Sequence, residues 1–455
     1  MTVYKLIVTA MICLAPVRVT GGLPASTQTR IYSLEELIES AMRHHAEIVA
    51  GEWQVREAHA TLNKAQAAYL LPRLRLEGES GLVPDAEGDV FNPPSDTTGL
   101  RPMGPFARLQ LEFAQPLFTF GHLRHQTRAA RANVDVERAA LADTRLELAL
   151  EVRKLYYAIL LGQEVSALID RVQDTIDDKL REVDEEQVLS LADLYRLRLA
   201  LLELDMQRDR VARQLELARS ALTWQAGLPP DRPPELGDVR LEPVDAQIPV
   251  VSVLEGQAFA SRPDWRRLQA GIQARQAQED MARSAYLPRF YLAGGVRYAV
   301  APGRTNQRNP FVVDNFNYRS AGAFLLVQQS FEWRLLGADR DQARARLMAL
   351  KATEQGAVEG IRLDVQRSYT AYREAADHLE YSQQARRLGR QWLQEALDDY
   401  DFDPQTLDDL VTAFRTHAQL EQDYLSAVHD YNITVAELAR TTGTIFLEAE
   451  PWFQD

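Results

Sequence analysis

No proline occurs between Gly121 and Leu228, and within that run apolar residues return at helical spacing. Leu141, Leu148, Val152, Leu155 and Ile159 follow one another at steps of seven, four, three and four, and Ile169, Val172, Ile176, Leu180 and Val183 continue the pattern. After a break near Val183 to Ser190, it resumes at Leu194, Leu197, Leu201 and Leu204. A helix from about residue 120 to 185 would be roughly 100 Å long. A compact globule does not hold such a helix; a rod or the wall of a tube does. The steps of three and four predict coiled-coil packing between neighbouring helices, and Tyr424, Val428, Tyr431, Val435 and Leu438 repeat them near the C-terminus.

The chain says nearly everything twice. Pro72 and Pro288 stand 216 positions apart (288 − 72), as do Gly121 and Gly337, and Gly227 and Gly443. "RHQTRA" from Arg124 faces "RDQARA" from Arg340, and "SLADL" from Ser190 faces "TLDDL" from Thr406. The constant offset predicts a tandem duplication, with a first repeat over 29–228 and a second over 252–444. The Pro-rich stretch 229–251 reads as a linker, and 445–455 as a C-terminal tail.

Each repeat opens with a helical stretch that ends at Tyr-Leu-Pro. In the first, Ser33 and Glu36 form a capping box and Pro72 stops the helix. The second is expected to run as a helix from Ser252 to Leu287, stopped by Pro288. Beyond each proline the period changes to two. Leu74 and Leu76 share one face against Arg73, Arg75, Glu77 and Glu79. Leu109, Leu111 and Phe113 share one face against Arg108, Gln110 and Glu112. Strand pairs are expected at 73–84 with 106–118 and at 289–300 with 320–332, followed by long helices over 120–227 and 336–443.

Strands of about 9–12 residues with one apolar and one polar face suit a transmembrane barrel. In lipid a sheet must close, and four strands cannot. Several chains must share a barrel: two would give eight strands and three would give twelve. Export fits this reading. Lys5 precedes the apolar core Leu6 to Ala15, followed by small residues, which reads as a signal peptide over 1–25. The only cysteine, Cys13, lies inside that segment, and bulky Ile12 before it speaks against lipidation. The net charge of −14 speaks against a nucleic-acid partner.

Several segments together resemble the TolC-like outer membrane efflux protein family. They are "RPDW" (Arg262 to Trp265), the two Tyr-Leu-Pro segments, "QPLFTFG" (Gln115 to Gly121) and "DYNITVAELARTTG" (Asp430 to Gly443). The resemblance implies a mainly α fold with a transmembrane β-barrel part: a homotrimer with a shared twelve-stranded barrel and a periplasmic tunnel of α-helical hairpins. It implies an outer-membrane exit duct of a tripartite efflux or type I secretion system. That duct would be passive, would need no cofactor, and would dock to a periplasmic adaptor and an inner-membrane pump. A stand-alone porin and a periplasmic coiled-coil scaffold are the alternatives.

Within that frame, Tyr69 with Pro72 and Tyr286 with Pro288 mark the helix-to-strand junctions. Phe118 and Phe120, and Phe331 and Trp333 on the other returning strand, are candidates for an interfacial aromatic belt; packing under the helix ends is the other reading. Leu74, Leu76, Leu109, Leu111 and Phe113 would face lipid. No HExxH, GxSxG or P-loop is present. The pairs His44/His45 and His122/His125 lack accompanying carboxylate or cysteine clusters and read as helix-surface histidines. Acids crowd the two helix–helix turns. The family carries a constricting aspartate just after the second turn, and Asp409 matches it, with Asp193 as its counterpart in the first repeat. Asp408, Asp398, Asp399, Asp401 and Asp403 complete the candidate gate, whose bland alternative is a solvated turn. The family's tip glycine is missing, Pro404 takes part in the second turn instead, and Thr412 stands where a further acid is common.

Overall fold

The computed structural model describes residues 31–88, 102–186, 191–231, 233–306, 311, 313–402 and 407–444. The expected signal peptide, the C-terminal tail and Pro404 lie outside them. In chain order the elements are β1 (Ile31–Tyr32), α1 (Leu34–His44), α2 (Ala46–Leu70), β2 (Arg73–Pro84), β3 (Met103–Phe118), α3 (His122–Glu186) and α4 (Leu191–Gln225). They continue with β4 (Glu235–Leu236), α5 (Val251–Ser261), α6 (Pro263–Ser284), β5 (Arg289–Val300), β6 (Tyr318–Gln328), α7 (Trp333–Phe402) and α8 (Leu407–Thr442).

The 216-residue offset carries through to the elements. β2 and β5 begin at 73 and 289, α3 and α7 end at 186 and 402, and α4 and α8 begin at 191 and 407. With 65 and 70 residues, α3 and α7 span about 100 Å each at the helical rise. The core repeats too. Leu222 and Leu438 are both fully buried, one in a cluster with Ala149 and Ile38, the other with their counterparts Val365 and Leu254. Leu37, Ile48, Val152, Tyr156 and Ile159 enlarge the first cluster, which ties α1, α2, α3 and α4 together.

Each opening helix is two helices, not the one expected. The first breaks at His45, whose extended backbone (ψ 133°) caps both α1 and α2. The second breaks at Arg262, because Pro263 has no N–H to continue a helix and is suited to a first-turn position. The capping box of Ser33 and Glu36 is present; the second repeat starts at Val250 with no side-chain cap. The expected linker is a packed segment. β4 pairs in parallel with β1, Leu241 is buried, and Asn432 Oδ1 accepts from Val244 N at 2.9 Å while its Nδ2 donates to Glu242 O. A Pro-rich sequence cannot form a helix there, but its backbone polar groups still find partners in the helical body.

Candidate functional site

β2, β3, β5 and β6 form one antiparallel sheet in that order. Among the described residues, the outer edges of β2 and β6 have no strand partner. The register decides which side chains share a face, because residues directly opposite point the same way. Leu74 faces Phe113, Leu76 faces Leu111, Gly78 faces Leu109, and Leu111 in turn faces Val296. Leu292 faces Leu325 on the same side. That face is apolar and exposed: Leu74, Leu76 and Leu325 keep 60% or more of their surface open. All five residues expected on an apolar face lie on it.

The opposite face carries Arg75, Glu77, Glu79, Arg108, Gln110, Glu112 and Arg297, and on β6 the exposed Phe324 and Leu326. Arg108 Nη1 donates to Glu79 Oε2 at 3.1 Å and Arg297 pairs with Glu112 at 3.5 Å. In the middle of β5, Gly294 and Gly295 lack side chains where Phe113 and the Leu111 carbonyl lie against the strand. Such glycines let a strand bend.

At the helix–sheet junctions, Pro72 and Pro288 fall just before β2 and β5. Tyr69 is half exposed at the end of α2. Phe118 is the last residue of β3 and meets Phe120 edge-on at 4.6 Å. Phe120 and Gly121, both with positive φ (48° and 86°), turn the chain into α3. Phe331 and Trp333 are not on a strand: β6 ends at Gln328, and Trp333 opens α7. Trp333 instead stacks on Tyr286 at 6.1 Å and Phe331 packs edge-on against it at 5.7 Å. The aromatics meet across the junction because α7 starts three residues earlier than its sequence period suggests.

At the far ends of the rods, Asp398 and Asp399 are exposed in α7 and Asp409 is exposed in the first turn of α8. Asp401, Asp408 and Asp193 lie in α7, α8 and α4, with side chains outside the described residues, as Asp403 is altogether. Further along the same hairpin is a cluster that sequence reading missed. Glu421 of α8 is nearly buried and pairs with Arg386 Nε at 2.7 Å and Arg390 Nη2 at 3.0 Å, both from α7. Burial alone would raise its pKa, but the two guanidiniums outweigh burial and hold the carboxyl below the usual glutamate range. The spacing of Arg386, Arg390, His417 and Glu421 at i, i+4 on two helices was the signal available.

"RPDW" is a structural knot. Arg262 donates to Asp264 Oδ2 at 2.7 Å and to Asp364 at 3.4 Å, and also reaches Thr441 O. Burial works against its charge, but the two aspartates prevail and raise its pKa. Of the histidines, His45 caps α2 and His122 bonds Ser284 Oγ at 3.2 Å. Among the described residues no group of three or more His, Cys, Asp or Glu is placed to hold a metal ion. None of the described helices is long and apolar enough to cross a membrane.

A family model described as outer membrane efflux protein matches residues 37–181. No curated protein matches the chain. Among solved structures, CusC, described in terms of folding and transmembrane channel formation, superposes with a TM-score of 0.74 at 16% identity, covering 93% of this chain and 96% of that one. The Campylobacter jejuni CmeC outer membrane channel gives 0.73 at 15%, covering 91% and 86%. The open state of the Neisseria gonorrhoeae MtrE outer membrane channel gives 0.71 at 18%, covering 91% of each. The match over residues 37–181 is to the outer membrane efflux protein family, and the fold of the chain is that of solved outer membrane channels. The resemblance read from the sequence therefore holds, in sequence over much of the first repeat and in fold over nine-tenths of the chain.

Proposed function

We propose that the chain is one of three identical walls of an outer-membrane exit duct, a passive channel from periplasm to exterior. An inner-membrane pump energises it through a periplasmic adaptor. The observation that carries this reading is the four-stranded sheet, apolar on one face of β2 and β3 and charged on the other, continuous with two rods of 65 and 70 residues. A sheet open at both edges is an aggregation hazard unless something pairs it. Three copies would supply twelve strands, and the apolar face of Leu74, Leu76, Leu109, Leu111 and Phe113 would meet lipid while the charged face lines water.

The helices support self-association as well. On α4, Leu201, Leu204, Val211, Leu215, Ala218 and Leu222 turn toward α3, yet Tyr195, Leu199, Leu202 and Met206 form a second stripe that is about 60% exposed or more. Tyr381 and Leu388 (66% exposed each), with Trp392 at 42%, form such a stripe on α7. Two apolar stripes on one helix suit a tube in which every helix has neighbours on both sides.

In this reading residues 29–228 and 252–444 are two equivalent wall segments and 229–251 an equatorial strap. Tyr69, Pro72, Tyr286 and Pro288 mark the passage from periplasmic helix to membrane strand. Phe118, Phe120, Phe331 and Trp333 form the interfacial belt. Asp409, with Asp193, Asp408, Asp398, Asp399, Asp401 and Asp403, rings the periplasmic end, where three copies of each carboxylate would attract cations and resist anions. Planar-bilayer recording of the detergent-extracted protein tests this. The expected result is a cation-selective channel of low conductance that opens further and loses selectivity in Asp409→Asn. A large, ungated conductance indifferent to Asp409 would favour a porin, and no conductance from a water-soluble protein would favour a scaffold.

A further inference from the structure

A cavity of about 430 Å³ opens where α6 ends and α7 begins, lined by Glu279, Arg283, Tyr286, Leu287, Arg340 and Arg344. Three guanidiniums, against Glu279 in the lining and Asp341 beside Arg340, leave it net positive and make it an anion site by charge. It is built rather than incidental. Glu279 is almost fully buried (side chain 3% exposed) and binds Arg283 Nη2 at 2.6 Å, which fixes that guanidinium at the rim. Arg340 is oriented by Asp341 at 2.9 Å. Arg344 has no ion-pair partner among the described residues.

The other wall is not that of a site for a free anion. Tyr286 is stacked on Trp333, Trp333 carries Phe331 on its edge, and Leu287 is 43% exposed. β5 begins at Arg289, two residues beyond Leu287, and β6 ends at Gln328, five before Trp333. The cavity thus lies at the end of the sheet on its helical side, basic on one wall and aromatic or apolar on the other. A ligand that satisfies both walls carries a phosphate joined to an apolar body.

We infer that this cavity binds the phosphate headgroup of an anionic glycerophospholipid from the leaflet facing the helical rods. Arg340 and Arg344 hold the phosphate, Arg283 closes the rim, and the start of the acyl chains lies along Tyr286 and Leu287. Basic pockets bordering membrane segments recognise anionic headgroups in this way. The inference rests on the reading that the sheet lies in the outer membrane.

The test uses the full-length protein, reconstituted into phosphatidylcholine vesicles with and without phosphatidylglycerol, floated on a density gradient, then extracted in mild detergent for native mass spectrometry. The variants are Arg340→Gln/Arg344→Gln and, as a charge-matched control further along α7, Arg367→Gln/Arg373→Gln. Wild type and control should retain phosphatidylglycerol over phosphatidylcholine, and an excess of inorganic phosphate should not displace it. The first variant should float equally well but lose that preference by about 25-fold, at roughly fivefold for each arginine near an anionic headgroup. Equal retention by both variants would overturn the site. Displacement by inorganic phosphate would make it a site for the free anion and overturn the lipid assignment. Normal flotation without lipid preference would refute this inference alone, whereas failure to float would refute the membrane reading and the inference with it.

Discussion

Gly227 and Gly443, 216 residues apart, end α4 and α8 in the same left-handed conformation (φ 63° and 79°), each pressed against the break in its repeat's opening helix pair. A Cβ on Gly227 would lie 2.6 Å from His44 Cβ, and one on Gly443 would lie 2.6 Å from Arg262 N. These contacts lock the end of each hairpin onto the helix break of α1/α2 or α5/α6, so the two repeats share a joint as well as an order.

Replacing either glycine by alanine combines an unfavourable φ with a backbone clash. Gly443→Ala should lower stability by about 1–3 kcal/mol, and its counterpart Gly227→Ala should act alike. Gly256 in α5 meets nothing within 4 Å, so Gly256→Ala should instead stabilise by about 0.5–1 kcal/mol. Thermal melts of the detergent-extracted variants give both signs in one series.

Glu421 makes stability depend on acid. Its folded pKa lies below the ordinary 4.5, so the unfolded chain takes up the proton first. The clamp is therefore fully present above that value and is lost as pH falls through the folded one. His417 adds to the loss at higher pH. Burial lowers its pKa first, Arg390 and Arg386 lower it further, and the opposing pull of Glu421 does not restore it. The unfolded chain thus gains protons as pH falls through 6.5. Glu421→Gln should cost about 1–3 kcal/mol near neutral pH, with a gap to wild type that narrows below the glutamate range. Melts across pH measure that gap.

The sheet's two faces predict opposite sensitivities. Leu111→Arg places a charge on the apolar face and should cost about 2–4 kcal/mol of membrane stability if near the midplane. The amount of assembled protein recovered in the outer-membrane fraction should fall accordingly. Glu112→Gln, next in the strand but on the charged face with Arg297, should assemble normally and change only conductance.

Tyr156 is fully buried, and its hydroxyl donates to Asp238 Oδ2 at 2.7 Å, binding the 229–251 strap to the core. Burial first, then Asp238, drives its pKa upward, so the hydroxyl keeps its proton. Tyr156→Phe leaves the packing and removes the bond, for a loss of about 1–2 kcal/mol. Faster proteolysis within the strap would report its release.

Much of this architecture was legible because long periodic signals are hard to mistake. Leu109, Leu111 and Phe113 alternate so regularly that their face needed no structure, and a proline-free run over a hundred residues long leaves little but helix. The breaks at His45 and Arg262 were not legible in the same way. His45 is not a helix breaker by type; it is extended where Trp224 of α4 packs edge-on against its ring and Gly227, just past α4, packs against His44, which is tertiary context. Pro263 did announce the second break, but its value as a first helical residue is easily overlooked inside an apolar period. Phe331 and Trp333 looked like strand residues because aromatics favour strands, but β6 ends at Gln328 and Trp333 opens α7. The lining of the basic cavity comes from two segments about 55 residues apart, and periodicity alone does not bring them together.

The mass of the particle extracted from the outer membrane decides the whole reading. The full-length chain would be expressed, extracted in mild detergent, and its protein mass measured by light scattering or native mass spectrometry. Three processed chains in a particle that needs detergent would supply the twelve strands that close the open edges of β2 and β6. A water-soluble monomer or dimer would contradict the shared barrel, and the rods would then belong to a periplasmic scaffold.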